Sequence, residues 1–192
     1  MEVKQLTDFS QLKRIYHSRM KKDFALNELR PLPLLAYVWK RGELDGYGLY
    51  EGNDLLAYAL FARMAAGDQY DYLFDYYAIS ENRRGEGLGS FFLKELRKSI
   101  KNARYIIGEV EDPDYAKGEE DRLLRQRRLE FYKRNGFYET DIISRVFGVH
   151  YRLIGIPTES TINWDEYREV YRKIYRKLLP FGFHRFFFHI DN

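Results

Sequence analysis

A glycine-rich run, RRGEGLGS at residues 83–90, constrains the fold of this chain more than any other segment. It follows a predicted strand at residues 70–79 and precedes a predicted helix at residues 88–100. Three glycines within residues 85–89 allow the backbone to approach a ligand closely. The N–H groups of such a loop, backed by the start of a helix, favour phosphate oxygens, and Arg83 and Arg84 add positive charge. The sequence therefore predicts a phosphate site between a strand and a helix.

Composition limits the classes of function that the chain can have. A length of 192 residues favours one domain with a C-terminal appendage, and 45% hydrophobic residues suffice for a core. A net charge of only +3 argues against nucleic acid as a partner. The absence of cysteine excludes disulfides, a thiol nucleophile and cysteine-ligated zinc, and it fits a cytoplasmic location. No apolar run approaches the roughly 20 residues needed to cross a bilayer, so we expect no membrane contact.

Hydrophobic periodicity predicts a mixed α/β fold with strands joined by both hairpins and helices. The predicted strands are residues 2–6, 47–51, 55–64, 70–79, 104–110, 137–143, 149–156 and 185–190, and the predicted helices are 9–20, 34–40, 88–100, 119–135 and 164–179. Thr7 and Asp8 resemble a helix cap, and Gly136 is placed to end the helix before it. The glycine-rich run thus follows the fourth predicted strand.

Two familiar phosphate loops fit this run poorly. A P-loop requires Gly-Lys-Ser/Thr, whereas Gly89 is followed directly by Ser90. A dinucleotide fingerprint requires G-x-G-x-x-G after the first strand of a βαβ unit, whereas this loop reads G-x-G-x-G and follows several predicted hairpin strands.

A third pattern fits better. The segment RGEGLG at residues 84–89 matches the Arg/Gln-x-x-Gly-x-Gly loop of the GNAT N-acetyltransferase superfamily. The segment FYKRNGF at residues 131–137 is similar to the Tyr-x-x-x-Gly-Phe segment of that family. The two motifs lie on the expected elements, and the resemblance extends over residues 2–156. It implies a GNAT-type fold, in which a central, mostly antiparallel twisted sheet is flanked by helices.

The resemblance implies acyl transfer from acetyl-coenzyme A as co-substrate, without a metal. Backbone N–H groups of the loop would hold the pyrophosphate, the end of the preceding strand would bind the pantetheine arm, and an N–H near Ala78 would polarise the thioester carbonyl. The expected coenzyme-binding residues are Tyr77, Ala78, Ile79, Arg84, Gly85, Glu86, Gly87, Leu88, Gly89 and Ser90.

The family also suggests the groups that move protons. Tyr132 occupies the position of the tyrosine that protonates the departing thiolate in some members. Glu109 and Glu111, two apart on the fifth predicted strand, share a face and are the candidate bases, although water could take the proton instead.

Two residues depart from the family pattern, since Arg125 and Arg128 stand where an Asn and a small residue are common. They could bind phosphate or pair with the two glutamates.

Acidic residues around the fourth and fifth predicted strands suggest a cationic acceptor. The set comprises Asp71, Asp75, Glu109, Glu111, Asp112 and Asp114. A polyamine, an aminoglycoside or a peptide amine would suit it. Asp75 lies inside a strand, where a buried carboxylate requires either a function or a partner.

The sequence predicts two regions, a core at residues 1–157 and a C-terminal extension at residues 158–192. Trp164, Tyr167, Tyr171, Ile174 and Leu178 form an apolar stripe, opposite a basic face that contains Arg172 and Arg176. The phenylalanines at 181, 183 and 186–188 are expected to pack on the core or across a homodimer interface. The four histidines show no metal-ligand spacing.

Three functions remain open from the sequence. The first is an N-acetyltransferase that acts on a primary amine of a small molecule or peptide by direct attack in a ternary complex. The second is a non-catalytic acyl-coenzyme A binding or sensing domain of the same fold. The third is a protein-binding module in which the glycine loop no longer binds a ligand. Fold predicts the coenzyme better than it predicts the acceptor.

Overall fold

The computed structural model describes residues 1–156 and 163–191 and shows a mixed α/β fold, as predicted. Its strands are β1 (Glu2–Gln5), β2 (Leu44–Glu51), β3 (Asp54–Ala66), β4 (Gln69–Ile79), β5 (Ala103–Glu111), β6 (Tyr138–Val146), β7 (Val149–Ile156) and β8 (Phe188–Ile190). They form one mostly antiparallel sheet with the order β1-β2-β3-β4-β5-β7-β6-β8. The helices are α1 (Phe9–Ile15), α2 (Lys21–Asp23), α3 (Leu32–Lys40), α4 (Leu88–Ser99), α5 (Glu119–Arg134), α6 (Trp164–Leu178) and α7 (His184–Phe187). None of these helices is long and apolar enough to span a membrane.

The chain divides into two compact units. The first unit contains Met1–Arg63 and Phe74–Asn102, and the second contains Met64–Leu73 and Ala103–Asn192. Strands β3 and β4 therefore contribute residues to both units. The predicted boundary between residues 157 and 158 lies outside the described residues, so the 1–157 and 158–192 regions remain a prediction.

The first unit contains the N-terminal hairpins and the helix that follows the glycine loop. β1 and β2 are antiparallel, and β2 and β3 form a hairpin that closes at Glu51 and Asp54. The side chain of Asp8 caps α1 by accepting a hydrogen bond of 2.6 Å from the Ser10 N–H, as the sequence predicts. Leu88 and Phe92 are among the side chains that α4 buries, so its first turn is fixed by packing.

The second unit is organised around the antiparallel strands β5, β7, β6 and β8. β6 and β7 form a hairpin, and it is β7 that pairs with β5. The hydroxyl of Tyr167, on α6, donates a hydrogen bond of 2.9 Å to the Ile154 carbonyl of β7. A helix that buries tyrosines must find partners for their hydroxyl groups, and here the neighbouring strands supply them.

Three expectations about this unit need correction. Helical spacing predicts that Leu123, Leu124, Phe131 and Tyr132 form an apolar seam along α5, but Leu123 and Leu124 are 42% and 47% exposed, while Arg125 and Leu129 are buried. The predicted strand at residues 185–190 is a strand only from Phe188 onward, after the short helix α7. The C-terminal phenylalanines do not all pack on the core either, because Phe181 and Phe186 are 88% and 76% exposed. The predicted homodimer interface remains a prediction.

Candidate active site

The glycine loop presents a row of backbone donors. Gly85 and Gly87 have φ angles of +86° and +79°, which favour glycine, and Gly87 immediately precedes α4. The N–H groups of residues 85–90 form no hydrogen bond with any described residue, and the first helical bond runs from Phe91 to the Gly87 carbonyl. Unsatisfied N–H groups at a helix N-terminus attract anions. These N–H groups are available to an anion, and the phosphate site at this loop stays a prediction.

The two arginines of the loop differ in their availability. Arg83 is paired with Glu86 at 2.8 Å and with Glu51 at 3.2 Å. Arg84 is exposed, and its side chain forms no hydrogen bond or ion pair with the described residues, although its backbone N–H donates to the Glu81 carbonyl at 3.3 Å. Its guanidinium is therefore the one that an incoming phosphate can recruit without breaking an ion pair.

Tyr77 joins the end of β4 to the beginning of α4. Its hydroxyl donates a hydrogen bond of 2.7 Å to the Gly89 carbonyl, and its ring stacks on Phe92 at 5.7 Å. Ala78, the next residue, is buried. Tyr77 thus has a clear part in fixing the loop, while the roles of Tyr77, Ala78 and Ile79 toward pantetheine remain predictions.

Tyr132 lies near the end of α5, beside the glycine that ends this helix. Its half-buried ring packs edge-on against Phe131 and Phe137, each with a centroid separation of 5.2 Å. Gly136 has a φ of +83°, as expected of a residue that terminates a helix. Burial raises the pKa of the Tyr132 phenol, and the nearby Arg128 cation offsets only part of that rise. The phenol therefore keeps its proton at neutral pH.

Glu109 is held by two tyrosines of the C-terminal helix. One carboxylate oxygen accepts hydrogen bonds from the hydroxyls of Tyr171 and Tyr175, the latter at 2.7 Å. The Tyr171 hydroxyl also contacts the Ser144 hydroxyl at 2.8 Å. Burial and the adjacent Glu109 charge raise the pKa of Tyr171 well above its usual value, so this tyrosine remains a donor.

Sequence reasoning missed these partners of Glu109. The sequence pattern places Tyr171 in an apolar stripe and indicates no role for Tyr175. A signal existed, because tyrosines at positions i and i+4 share a helix face and buried hydroxyls need acceptors. What could not be read from the chain is that the acceptor lies more than 60 residues earlier.

Glu111 is bound by arginines of α5. Its carboxylate pairs with Arg125 at 3.3 Å and with Arg128. Arg125 also donates to the Asp112 carbonyl at 3.0 Å and pairs with Asp121 at 3.0 Å. These ion pairs explain why an arginine is buried where a leucine seam was expected. Glu109 and Glu111 are two residues apart on β5, and different helices hold their carboxylates, α6 that of Glu109 and α5 that of Glu111.

The remaining acidic residues of the predicted cationic site also have partners. Asp75 forms a buried ion pair with Arg30, and burial raises its pKa despite that cation. Asp71 is fully buried and accepts two hydrogen bonds from Arg104, at 2.9 and 2.7 Å. The last two carboxylates, Asp112 and Asp114, both pair with Arg152. Five of the six acids thus pair with arginines and Glu109 accepts hydrogen bonds from two phenols, so the set carries no argument for a polycationic acceptor. Among the described residues, no group of three or more acidic or histidine side chains is placed to hold a metal ion.

Comparisons with known proteins identify the fold. No protein-family model and no curated protein matches the sequence. Among solved structures, a protein from Bacteroides thetaiotaomicron assigned to the GNAT acetyltransferases matches 92% of this chain and 97% of its own, with a TM-score of 0.69 and 20% identity. The aminoglycoside 6'-N-acetyltransferase from Enterococcus faecium matches 85% of this chain and 100% of its own, with a TM-score of 0.60 and 11% identity. A GNAT family acetyltransferase from Elizabethkingia anophelis with acetyl-CoA bound matches 81% of this chain and 97% of its own, with a TM-score of 0.56 and 14% identity. At these identities the similarity establishes a common fold.

Proposed function

We propose that this chain, which has the fold of the GNAT acetyltransferases, transfers an acetyl group from acetyl-coenzyme A to a primary amine. The acceptor would be a small molecule or a peptide, and its amine would attack the thioester directly in a ternary complex. One observation carries the proposal: the N–H groups of residues 85–90 lack partners in the described structure and lie beside the unpaired Arg84. A pyrophosphate would satisfy these donors, and a solved structure of the same fold contains acetyl-CoA.

In this proposal the loop binds and orients the coenzyme, and the end of β4 positions its reacting group. The backbone N–H of Ala78 would donate to the thioester carbonyl and stabilise the negative charge that develops there. Tyr77 would act indirectly, because it ties β4 to the first turn of α4 through Gly89. Residues 77–79 and 84–90 thereby form the proposed coenzyme site.

Tyr132 is the proposed general acid. The departing thiolate needs a proton, and a phenol whose pKa is raised by burial still carries one at neutral pH. General acid catalysis by one such group contributes typically about 10²- to 10⁴-fold.

Glu109 is the proposed general base in preference to Glu111. Two guanidinium groups pair with the Glu111 carboxylate, which would have to leave these ion pairs to reach an acceptor amine. The interactions of Glu109 include hydrogen bonds from two neutral phenols, and such bonds are weaker than charge-assisted ones.

One observation favours the non-catalytic alternative, an acyl-coenzyme A sensor. Both candidate bases already accept hydrogen bonds or ion pairs from neighbouring side chains. A sensor would bind acetyl-coenzyme A with the same loop but would release no coenzyme A thiol with any amine. Turnover therefore separates the two functions, whereas binding does not.

The central experiment measures acetyl-coenzyme A binding by calorimetry in the wild type and in Gly87→Ala. The substitution forces a side chain into the left-handed region, costs about 1 kcal/mol of stability, and should weaken binding by at least ~10-fold, because the new Cβ obstructs the phosphate. Gly148→Ala is the matched control, since Gly148 has a φ of +85° in another turn and its Cβ would also meet nothing within 4 Å. It should lose similar stability and keep wild-type affinity.

A second arm screens primary amines for coenzyme A thiol release. Aminoglycosides, polyamines and peptides with free N-termini form the first panel. Thiol release above the hydrolysis background with at least one amine supports the transferase. Tight binding without release from any amine indicates the sensor, and absence of binding in the wild type would refute both.

A further inference from the structure

An open cavity of about 570 Å³ lies in the second unit, between α6 and the C-terminal segment. Arg172 and Arg176 of α6 line one side, and His184, Arg185 and His189 contribute from the C-terminal segment. Phe188 and Ile190 complete the lining. Its volume is within the range of about 300–1,000 Å³ typical of small-molecule sites.

The charge of this cavity is unbalanced. Three guanidinium groups line it, and no carboxylate is among its described lining residues. Glu169 pairs with both Arg172 and Arg176, at 3.9 and 3.6 Å, so one carboxylate serves two of the three guanidinium groups. Arg185 forms no side-chain hydrogen bond or ion pair with the described residues. Like charges gathered in a concave surface raise the local concentration of anions.

A buried polar atom at the cavity also lacks a partner. The Nδ1 atom of His184 is inaccessible to solvent and forms no hydrogen bond with the described residues. A buried group of this kind costs about 1–3 kcal/mol unless something pairs with it. His184 lines the cavity, but its Nδ1 atom has almost no accessible surface, so a ligand would reach that atom only if the imidazole ring turned.

The apolar part of the lining is rigid. The ring of Phe188 stacks on Tyr175 with a centroid separation of 4.4 Å and an interplanar angle of 12°. An aromatic or apolar ligand body would therefore meet a ring that is already held in place, so that little side-chain entropy is lost on binding.

From these observations we propose that the cavity binds a small organic phosphate, a phosphomonoester that carries an apolar or aromatic group. The arginines supply fork-shaped donors suited to a dianionic phosphoryl group. Phe188 and Ile190 would contact the organic portion. The cavity shares no residue with the proposed coenzyme site, and the inference does not depend on the proposed function.

The test compares three probes by calorimetry: phenyl phosphate, inorganic phosphate and phenol. Phenyl phosphate should bind with one site per chain and more tightly than inorganic phosphate, and phenol should not bind detectably. Arg185→Gln and Arg172→Gln should each weaken phenyl phosphate by at least ten-fold. Arg127→Gln, an exposed arginine of α5, is the matched control and should bind as the wild type does. Thermal melting verifies that each variant is folded, and an NMR shift of the His184 imidazole on titration reports contact at the cavity.

Several outcomes would overturn the proposal. One is no binding of phenyl phosphate, and another is unchanged affinity in both folded arginine variants. A loss of binding in Arg84→Gln alone would place the phosphate in the glycine loop instead. Binding to vesicles that contain phosphatidic acid, without binding to soluble phenyl phosphate, would identify a lipid surface as the partner.

Discussion

At the scale of single residues, the proton of Tyr132 gives the sharpest prediction. Tyr132→Phe should lower kcat by about 10²- to 10⁴-fold and leave the Kd for acetyl-coenzyme A within roughly 3-fold, since only the hydroxyl is removed. Because the pKa of this phenol is raised, its proton is lost only above the ordinary tyrosine value of about 10. The wild-type rate should accordingly show no decline caused by Tyr132 below that pH. Near-normal turnover in the variant would reject the assignment.

Glu109 and Glu111 provide a second test at this scale. Glu109→Gln keeps an oxygen that can accept the tyrosine hydroxyls but cannot take a proton, so kcat should fall by about 10²- to 10⁴-fold. Glu111→Gln should keep kcat within roughly 3-fold and instead reduce stability, because Arg125 and Arg128 lose their shared anion. Steady-state kinetics and urea unfolding measure the two effects. The reverse pattern would assign the base to Glu111, and full activity in both variants would leave water as the proton acceptor.

At the scale of elements, the buried pair of Arg30 and Asp75 ties the segment before α3 to β4. Removing the cation in Arg30→Met leaves a buried carboxylate unpaired, so the free energy of unfolding should fall by about 3–5 kcal/mol. The double variant with Asp75→Leu should recover most of that loss, because no unpaired charge remains. Urea unfolding of the two variants tests the pair, and equal stability of the single and double variants would contradict it.

Elements were predictable from the sequence where a local signal fixes them. The cap at Asp8, the left-handed Gly136 and the strand–loop–helix order around the glycine run all follow from neighbouring residues. The packed face of α5 was not predictable, because helical periodicity depends on the spacing of apolar residues. It cannot show that the Arg125 guanidinium donates to the Asp112 carbonyl. The same distinction holds in the candidate site. Its loop residues are recognisable from a local motif, whereas the tyrosine partners of Glu109 come from a helix more than 60 residues away in sequence.

At the scale of the whole molecule, buried phenols should make the fold sensitive to alkali. Several described tyrosines have raised pKa values, mainly because burial disfavours their charged form, among them Tyr58, Tyr105, Tyr132, Tyr138, Tyr167 and Tyr171. Above pH ~10 the unfolded chain releases these protons while the folded chain retains them, so stability falls as the pH rises.

The slope of that fall should approach about 1.4 kcal/mol per pH unit for each such tyrosine. Urea unfolding between roughly pH 8 and pH 11 measures the slope. Tyr58→Phe should reduce the slope by the contribution of one tyrosine, about 1.4 kcal/mol per pH unit. A stability that stays constant from pH 9 to roughly pH 11 would show that these phenols titrate equally in both states.

The contacts between β5 and α6 also fix when the second unit can finish folding during synthesis. The partners of Tyr105 and Glu109 are synthesised later, because Glu166, Tyr171 and Tyr175 follow them in the chain by 61 to 66 residues. At a translation rate of about 5–20 residues per second, that interval lasts roughly 3–13 s. For those seconds the nascent β5 has an acidic side chain but not the phenols that later hold it, so a ribosome-bound chain stalled before residue 164 should be more accessible to proteases around β5 than the released protein.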